Sequence, residues 1–326
     1  MHAARELPMR SLTRTSGEVI ARPLIVGAME SRFLPLHVQL DLRLTLGVLR
    51  DGAGDPCMRL SGSHALRTTR TPDGPVTLEL RLRGAELEVL GWGPGAEWAL
   101  DHVGDLVGLH DDGGHLRPAH PLVRDLRRRL AGLRLGRTLA VFEALVPVII
   151  GQRVAGRDAR LTYRSLVRRY GEPAPGPHDL MLPPAPETIA GLGYYDFHPL
   201  GIERNRAETL RRAAVEAPRL ERIVAGEPAF ARRRLEALRG IGVWTSGHVA
   251  RVALGDPDAV ILGDWNLPHT VAYALAGEER ATDERMLELL APYPGQRGRV
   301  QRLITTACGP APRRGPRRPL RNLARI

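Results

Sequence analysis

Residues Gly240–Leu267 read GIGVWTSGHVARVALGDPDAVILGDWNL. Within LRGIGVWT, Gly240 and Gly242 flank one apolar residue between two runs whose apolar spacing is helical. Glycine in such a turn admits positive φ and lets a backbone approach a ligand closely. The helix that follows opens with unpaired amides, and helix N-termini attract phosphate. The two glycines would then offer main-chain N–H groups to one nucleic-acid strand without reading its bases. An ordinary Gly-rich connection between packed helices looks the same, so these residues alone leave both roles open. Further along, Asp256-Pro257-Asp258 is turn chemistry, one acid capping backbone amides. Asp264 stands apart, after the apolar run at 259–262 and Gly263, at the mouth of the next helix. Its position suits a helix cap or a catalytic carboxylate, and one side chain can be both.

The whole chain narrows the partner. At 326 residues it is long enough for two domains with separate cores. The net charge is +11 and the isoelectric point is near 10.8, a balance that suits a polyanion, nucleic acid first. All 47 basic residues are arginine and no lysine occurs, so an arginine-rich composition spread over a solvated surface explains the charge equally well. The longest apolar runs, such as Leu145–Ile150, fall far short of the roughly 20 residues that span a bilayer. The N-terminal MHAARELPMRSLTRTSG lacks the apolar core of an export signal, so the expectation is a cytoplasmic, nucleoid-associated protein with no membrane partner. Cys57 and Cys308 are the only cysteines; they suit a reducing compartment and cannot build a cysteine-ligated zinc site or an iron–sulfur cluster.

Periodicity divides the chain. HVQLDLRLTLGVL alternates Val38, Leu40, Leu42, Leu44 and Leu46, and VTLELRLRG and AELEVLGWG alternate again, which predicts antiparallel strands with one solvated face. From about Leu122 the apolar spacing turns helical. PLVRDLRRRLAGL predicts a short amphipathic helix, and residues 137–173 predict two helices joined near Gly151. A Pro-rich connection leads to a short helix at Pro186–Gly191, followed by RNRAETLRRAAVEA and GEPAFARRRLEALRG. Three further helices follow Asp264. The expected fold class is α+β, with an antiparallel β-rich domain (1–115), an all-helical domain (116–308) and a flexible basic Pro/Arg tail (309–326).

LRGIGVWTSGHVARVALGDPDAV, followed by the aspartate of ILGDWNL, resembles the helix-hairpin-helix plus Gly/Pro-Asp signature of the base-excision DNA glycosylases. VIIGQRVAGRDA at 148–159 and the β-rich N-terminal part are similar more specifically to the DNA-3-methyladenine glycosylase II family. The likeness covers about Arg117 to Leu303. It implies a glycosylase that flips a damaged base out of duplex DNA, with Asp264 as the catalytic carboxylate. It implies substrate contacts from Trp244, Tyr293 and His248, although His248 stands where the family can have another aromatic. It also implies DNA contacts from Gly240, Gly242 and Thr245, and an intercalating position at Gln152 and Arg153, where the family often has an apolar residue. No cofactor or structural metal is required; a monovalent cation at the hairpin carbonyls is the family's habit. A monomer is expected.

Many relatives of this kind use a lysine in the helix after the hairpin as a Schiff-base nucleophile. Trp244 takes that place here and the chain has no lysine, which implies a monofunctional enzyme. An aromatic at Trp244 suits cationic, alkylated purines. The alternatives are a glycosylase for oxidised purines such as 8-oxoguanine, and a non-catalytic DNA-binding damage sensor.

Overall fold

The computed structural model describes residues 29–312, so the expectations for the N-terminal leader and for most of the basic tail lie outside the described residues. β1 (Met29–Pro35), β2 (Met58–Leu60), β3 (His64–Thr71), β4 (Gly74–Arg83) and β5 (Glu86–Trp92) form one antiparallel sheet in the order β1-β5-β4-β3-β2. β3 and β4 are joined through Pro72-Asp73, and β4 and β5 through Gly84-Ala85, with Gly84 at φ +63°. One face of the sheet buries Leu78, Leu80, Leu87 and Val89 against Leu42, Leu46, Ala96 and Leu100.

Two of these residues correct the sequence reading. The alternating run at 38–46 is not a strand: α1 occupies Leu42–Leu46, and a 3-10 turn follows over Gly47–Leu49. Asp41 accepts the Leu44 N–H at 2.9 Å and caps the helix. Leu42 and Leu46 are spaced i,i+4 as well as by twos, and as a helix both reach the sheet core, while Leu44 packs against the C-terminal helices. The sheet instead recruits β1, β2 and β3, none of which the alternation had marked.

Short helices α2 (Ala96–Asp101) and α3 (Val103–Leu106) close the sheet face. The helical expectations are met in order by α4 (Pro121–Arg129), α5 (Val141–Gly151), α6 (Gly156–Tyr170) and α7 (Pro186–Gly191). A two-stranded ribbon, β6 (Glu172–Pro173) with β7 (Met181–Leu182), lies between α6 and α7. Then come α8 (Tyr194–Phe197), α9 (Arg204–Val215), α10 (Ala217–Leu220), α11 (Pro228–Glu236), α12 (Val243–Ala253), α13 (Leu267–Ala276), α14 (Asp283–Leu290) and α15 (Arg297–Ala307).

The helices build two separate cores. One unites α5, α6, α9, α11 and α12 around Leu145, Ile149, Leu166 and Leu210. The other packs α4 against α13, α14 and α15 around Val123, Leu126, Val271 and Val300. The sheet is tied to the first core by Glu143 on α5, which bonds Arg67 and Thr69 of β3. No described helix is long and apolar enough to cross a membrane.

Candidate active site and nucleic-acid interface

Where the two helical cores meet, a cleft of about 1470 Å³ opens. That exceeds the roughly 300–1,000 Å³ of a small-molecule pocket and has room for an extended ligand. One wall is the α5–α6 loop, the start of α9 and the turn between α11 and α12; the other is the Asp264 segment, α13 and Pro310–Pro312. Six arginines line it (Arg153, Arg157, Arg206, Arg212, Arg239, Arg280) against three acids (Glu203, Glu208, Asp264). The wall charge favours an anion.

The hairpin glycines differ in why they are there. Gly240 has φ +98°, and a Cβ on it would fall 2.2 Å from Thr209 Oγ1, so the fold itself demands glycine. Gly242 has φ −110° and caps α12, and the space its Cβ would fill is open. Among the described residues no contact requires glycine there. Ser246 braces the motif by donating to Glu236 Oε1 of α11 at 2.6 Å.

Gln152 and Thr245 both line the cleft and are joined by hydrogen bonds. Gln152 Nε2 donates to Gly240 O at 2.9 Å and to Thr245 Oγ1 at 2.9 Å, which commits its amide to holding the turn. Thr245, 2% exposed, takes part in the same brace and stands at the cleft lining. Arg153 remains free to project: it is exposed and sits at φ +57°, an unusual conformation for a non-glycine residue at the tip of a loop. Of the pair at 152–153, both on the cleft lining, Gln152 is half-buried and Arg153 is the more exposed.

Asp264 is held by three donors. Its Oδ1 accepts the amides of Asn266 at 2.8 Å and Leu267 at 3.0 Å, and its Oδ2 accepts Trp244 Nε1 at 3.2 Å. It therefore caps the approach to α13 and also stands on the cleft wall beside Trp244. Asp256 and Asp258 are engaged elsewhere. Asp256 accepts the Asp258 amide at 2.8 Å in the turn, and Asp258 pairs with Arg297.

The Trp244 side chain lies between Gly151 and Gly263. A Cβ on Gly151 would meet it at 3.6 Å and one on Gly263 at 3.7 Å. His248 packs edge-on against the indole at a centroid distance of 4.6 Å. It lies behind Trp244 and outside the cleft lining. Burial, with Arg251 nearby, pushes its pKa down to about 4, which keeps the imidazole neutral at physiological pH. Tyr293 is a correction. It is 3% exposed within the second helical core, its hydroxyl accepts the His120 amide at 3.1 Å, and it does not reach the cleft. Trp265, not among the residues expected at the site, is 81% exposed on the cleft wall beside Asp264. An aromatic next to an isolated acid was a signal available in the sequence.

Among the described residues no cluster of three or more His, Cys, Asp or Glu could hold a metal. The carbonyls of Leu238, Arg239 and Gly240 already receive Ile241 N, Arg212 and Gln152 at 3.0, 2.6 and 2.9 Å.

No family model matches the chain. A probable bifunctional transcriptional activator/DNA repair enzyme AlkA of Mycobacterium tuberculosis is 30% identical over 151 residues, 46% of this chain and 30% of the relative. A DNA-3-methyladenine glycosylase of Bacillus subtilis is 26% identical over 203 residues, 60% of this chain and 65% of the relative. The chain thus spans less than two thirds of either relative's length. Among solved structures, a 3-methyladenine DNA-glycosylase from Archaeoglobus fulgidus superposes with a TM-score of 0.70 at 19% identity, over 84% of this chain and 97% of that one. A Clostridium acetobutylicum 8-oxoguanine glycosylase/lyase in complex with double-stranded DNA gives 0.66 at 13% identity, over 86% and 97%. At these identities the two structures establish a common α+β fold.

Proposed function

We propose that this chain, a member of the DNA-3-methyladenine glycosylase II family within the helix-hairpin-helix superfamily, is a monofunctional DNA glycosylase that removes alkylated purines from duplex DNA. The observation that carries the reading is Asp264: a carboxylate oriented by three donors, on the wall of an arginine-lined cleft, between two tryptophans.

The chemistry follows from that placement. Cleaving the bond between C1′ and a base nitrogen builds positive charge on the sugar, and a fixed carboxylate beside it stabilises that charge and orients water. The two backbone amides on Oδ1 spare the carboxylate the cost of reorganising as the charge develops. A purine turned out of the stack would meet the faces of Trp244 and Trp265. Alkylated purines carry positive charge, which an indole face attracts, and the neutral His248 behind Trp244 does not repel it. Such bases also leave readily, so their release makes little demand on a general acid. The hairpin amides at Gly242 would hold one strand's phosphates while Arg153 enters the gap that the flipped nucleotide leaves.

With no lysine in the chain, water is the nucleophile and an abasic site is the product. Incubation with alkylated duplex is expected to leave alkali-labile sites and no nicks, and borohydride is expected to trap no protein–DNA adduct. Efficient trapping, or strand cleavage without alkali, would contradict the monofunctional reading.

A further inference from the structure

The segment that delivers Asp264 to the cleft belongs to no helix and no sheet. Residues 259–261 run between two helices that approach it at glycines. A Cβ on Gly247 of α12 would lie 3.1 Å from Val260 O, and one on Gly298 of α15 would lie 2.5 Å from Ala259 O. Ala259, Val260 and Ile261 are at most 4% exposed, so their backbone groups need protein partners. Side chains supply several of them. Gln301 on α15, with 0% exposure, accepts the Ile261 amide on Oε1 at 3.0 Å and donates from Nε2 to Ile261 O at 3.2 Å. One side-chain amide thus pairs both polar groups of a residue, as a neighbouring strand would.

Gln301 is itself held. Arg251 Nη2 on α12 donates to Gln301 Oε1 and, at 3.3 Å, to Ala259 O. The same helix carries Trp244 at its start, and Trp244 bonds Asp264. Three residues beyond Ile261, the chain reaches the carboxylate through Gly263, whose φ is +73° and whose amide donates to Asp283 Oδ2 at 2.6 Å. Both ends of α12 therefore bear on Asp264, directly through Trp244 and indirectly through Arg251 and Gln301.

We infer that Gln301, braced by Arg251, is a positioning residue for the Asp264 carboxylate. The inference rests on Asp264 being the catalytic group. A buried amide 40 residues from its partner is otherwise an expensive way to secure a chain segment that apolar packing would also hold. Its geometry fixes the height and rotation of Ile261, and through two intervening residues the direction in which Asp264 enters the cleft. Displacing a reacting group by about 1 Å can cost about 100-fold in rate.

The test is a cycle of single-turnover base release from methylated duplex DNA, on wild type, Gln301→Leu, Asp264→Asn and the double variant, well below each protein's thermal midpoint. Gln301→Leu is expected to slow release about 100-fold while binding of an abasic duplex stays within about threefold. In the Asp264→Asn background the same change is expected to cost less than about twofold, because the group it positions is gone. Gln301→Glu keeps an acceptor for Ile261 and Arg251 and should recover release to within about tenfold of wild type. If Gln301→Leu folds and releases base at the wild-type rate, or slows both backgrounds equally, the inference is overturned. If Gln301→Leu does not fold, Gln301→Glu decides: a loss of rate that persists undiminished beside Asp264→Asn overturns the inference, and one that vanishes there supports it. Asp264→Asn releasing base normally would instead overturn the catalytic reading of Asp264.

Discussion

Asp264→Asn is expected to slow single-turnover base excision by about two to four orders of magnitude, the scale of losing a key electrostatic group at a transition state. The substitution separates the two roles that the structure gives this side chain. Asparagine retains an oxygen to accept the amides of Asn266 and Leu267, and asparagine caps helices about as well as aspartate. Stability and the start of α13 should therefore be nearly unchanged. The negative charge facing the sugar is lost, and the group on the Trp244 side becomes an NH₂, which cannot accept from the indole N–H. Binding to an abasic duplex should persist, since the hairpin is untouched. Near-normal excision by a well-folded Asp264→Asn protein would leave the residue as a helix cap alone. The same change at Asp258 should act mainly on stability, through the lost pairing with Arg297.

Gly242→Asp is expected to give the second large effect, with stability and binding moving in opposite directions. The position has ordinary extended φ and open space, and it is the N-cap of α12, where aspartate is among the best residues. The thermal transition should hold or rise. The new carboxylate would occupy the amides proposed for phosphate and repel the backbone besides, and affinity for undamaged duplex should fall about tenfold to 100-fold. Gly240→Ala provides the contrast: it is strained by φ +98° and collides with Thr209, so it should lower stability first. Duplex affinity measured by anisotropy across a salt series, beside a thermal melt, checks both. If Gly242→Asp binds duplex as tightly as wild type, the hairpin is only a turn.

The sequence made the hairpin, its flanking helices and the isolated aspartate legible because each is encoded locally, in glycine spacing and apolar period. α1 was misread for a physical reason. Leu42, Leu44 and Leu46 satisfy both a twofold and an i,i+4 pattern, and the arbiter was the cap at Asp41, a single residue. Tyr293 was misplaced because an aromatic side chain fills a core and a pocket equally well, and only tertiary packing sends it inward. The bracing roles of Gln152 and Gln301 were invisible for a related reason. Their partners lie 88 and 40 residues away, and nothing local distinguishes a bracing amide from a solvated one. Trp265 was legible and overlooked, being adjacent to the acid it flanks.

The most direct test is chromatography of the bases that the protein releases from two substrates: duplex DNA treated with a methylating agent, and duplex carrying 8-oxoguanine. Release of 3-methyladenine and 7-methylguanine, with 8-oxoguanine retained, is the expected result. Release of 8-oxoguanine alone would contradict the assignment of an alkylated-purine pocket. Tight binding to both duplexes with no base released from either would contradict catalysis altogether.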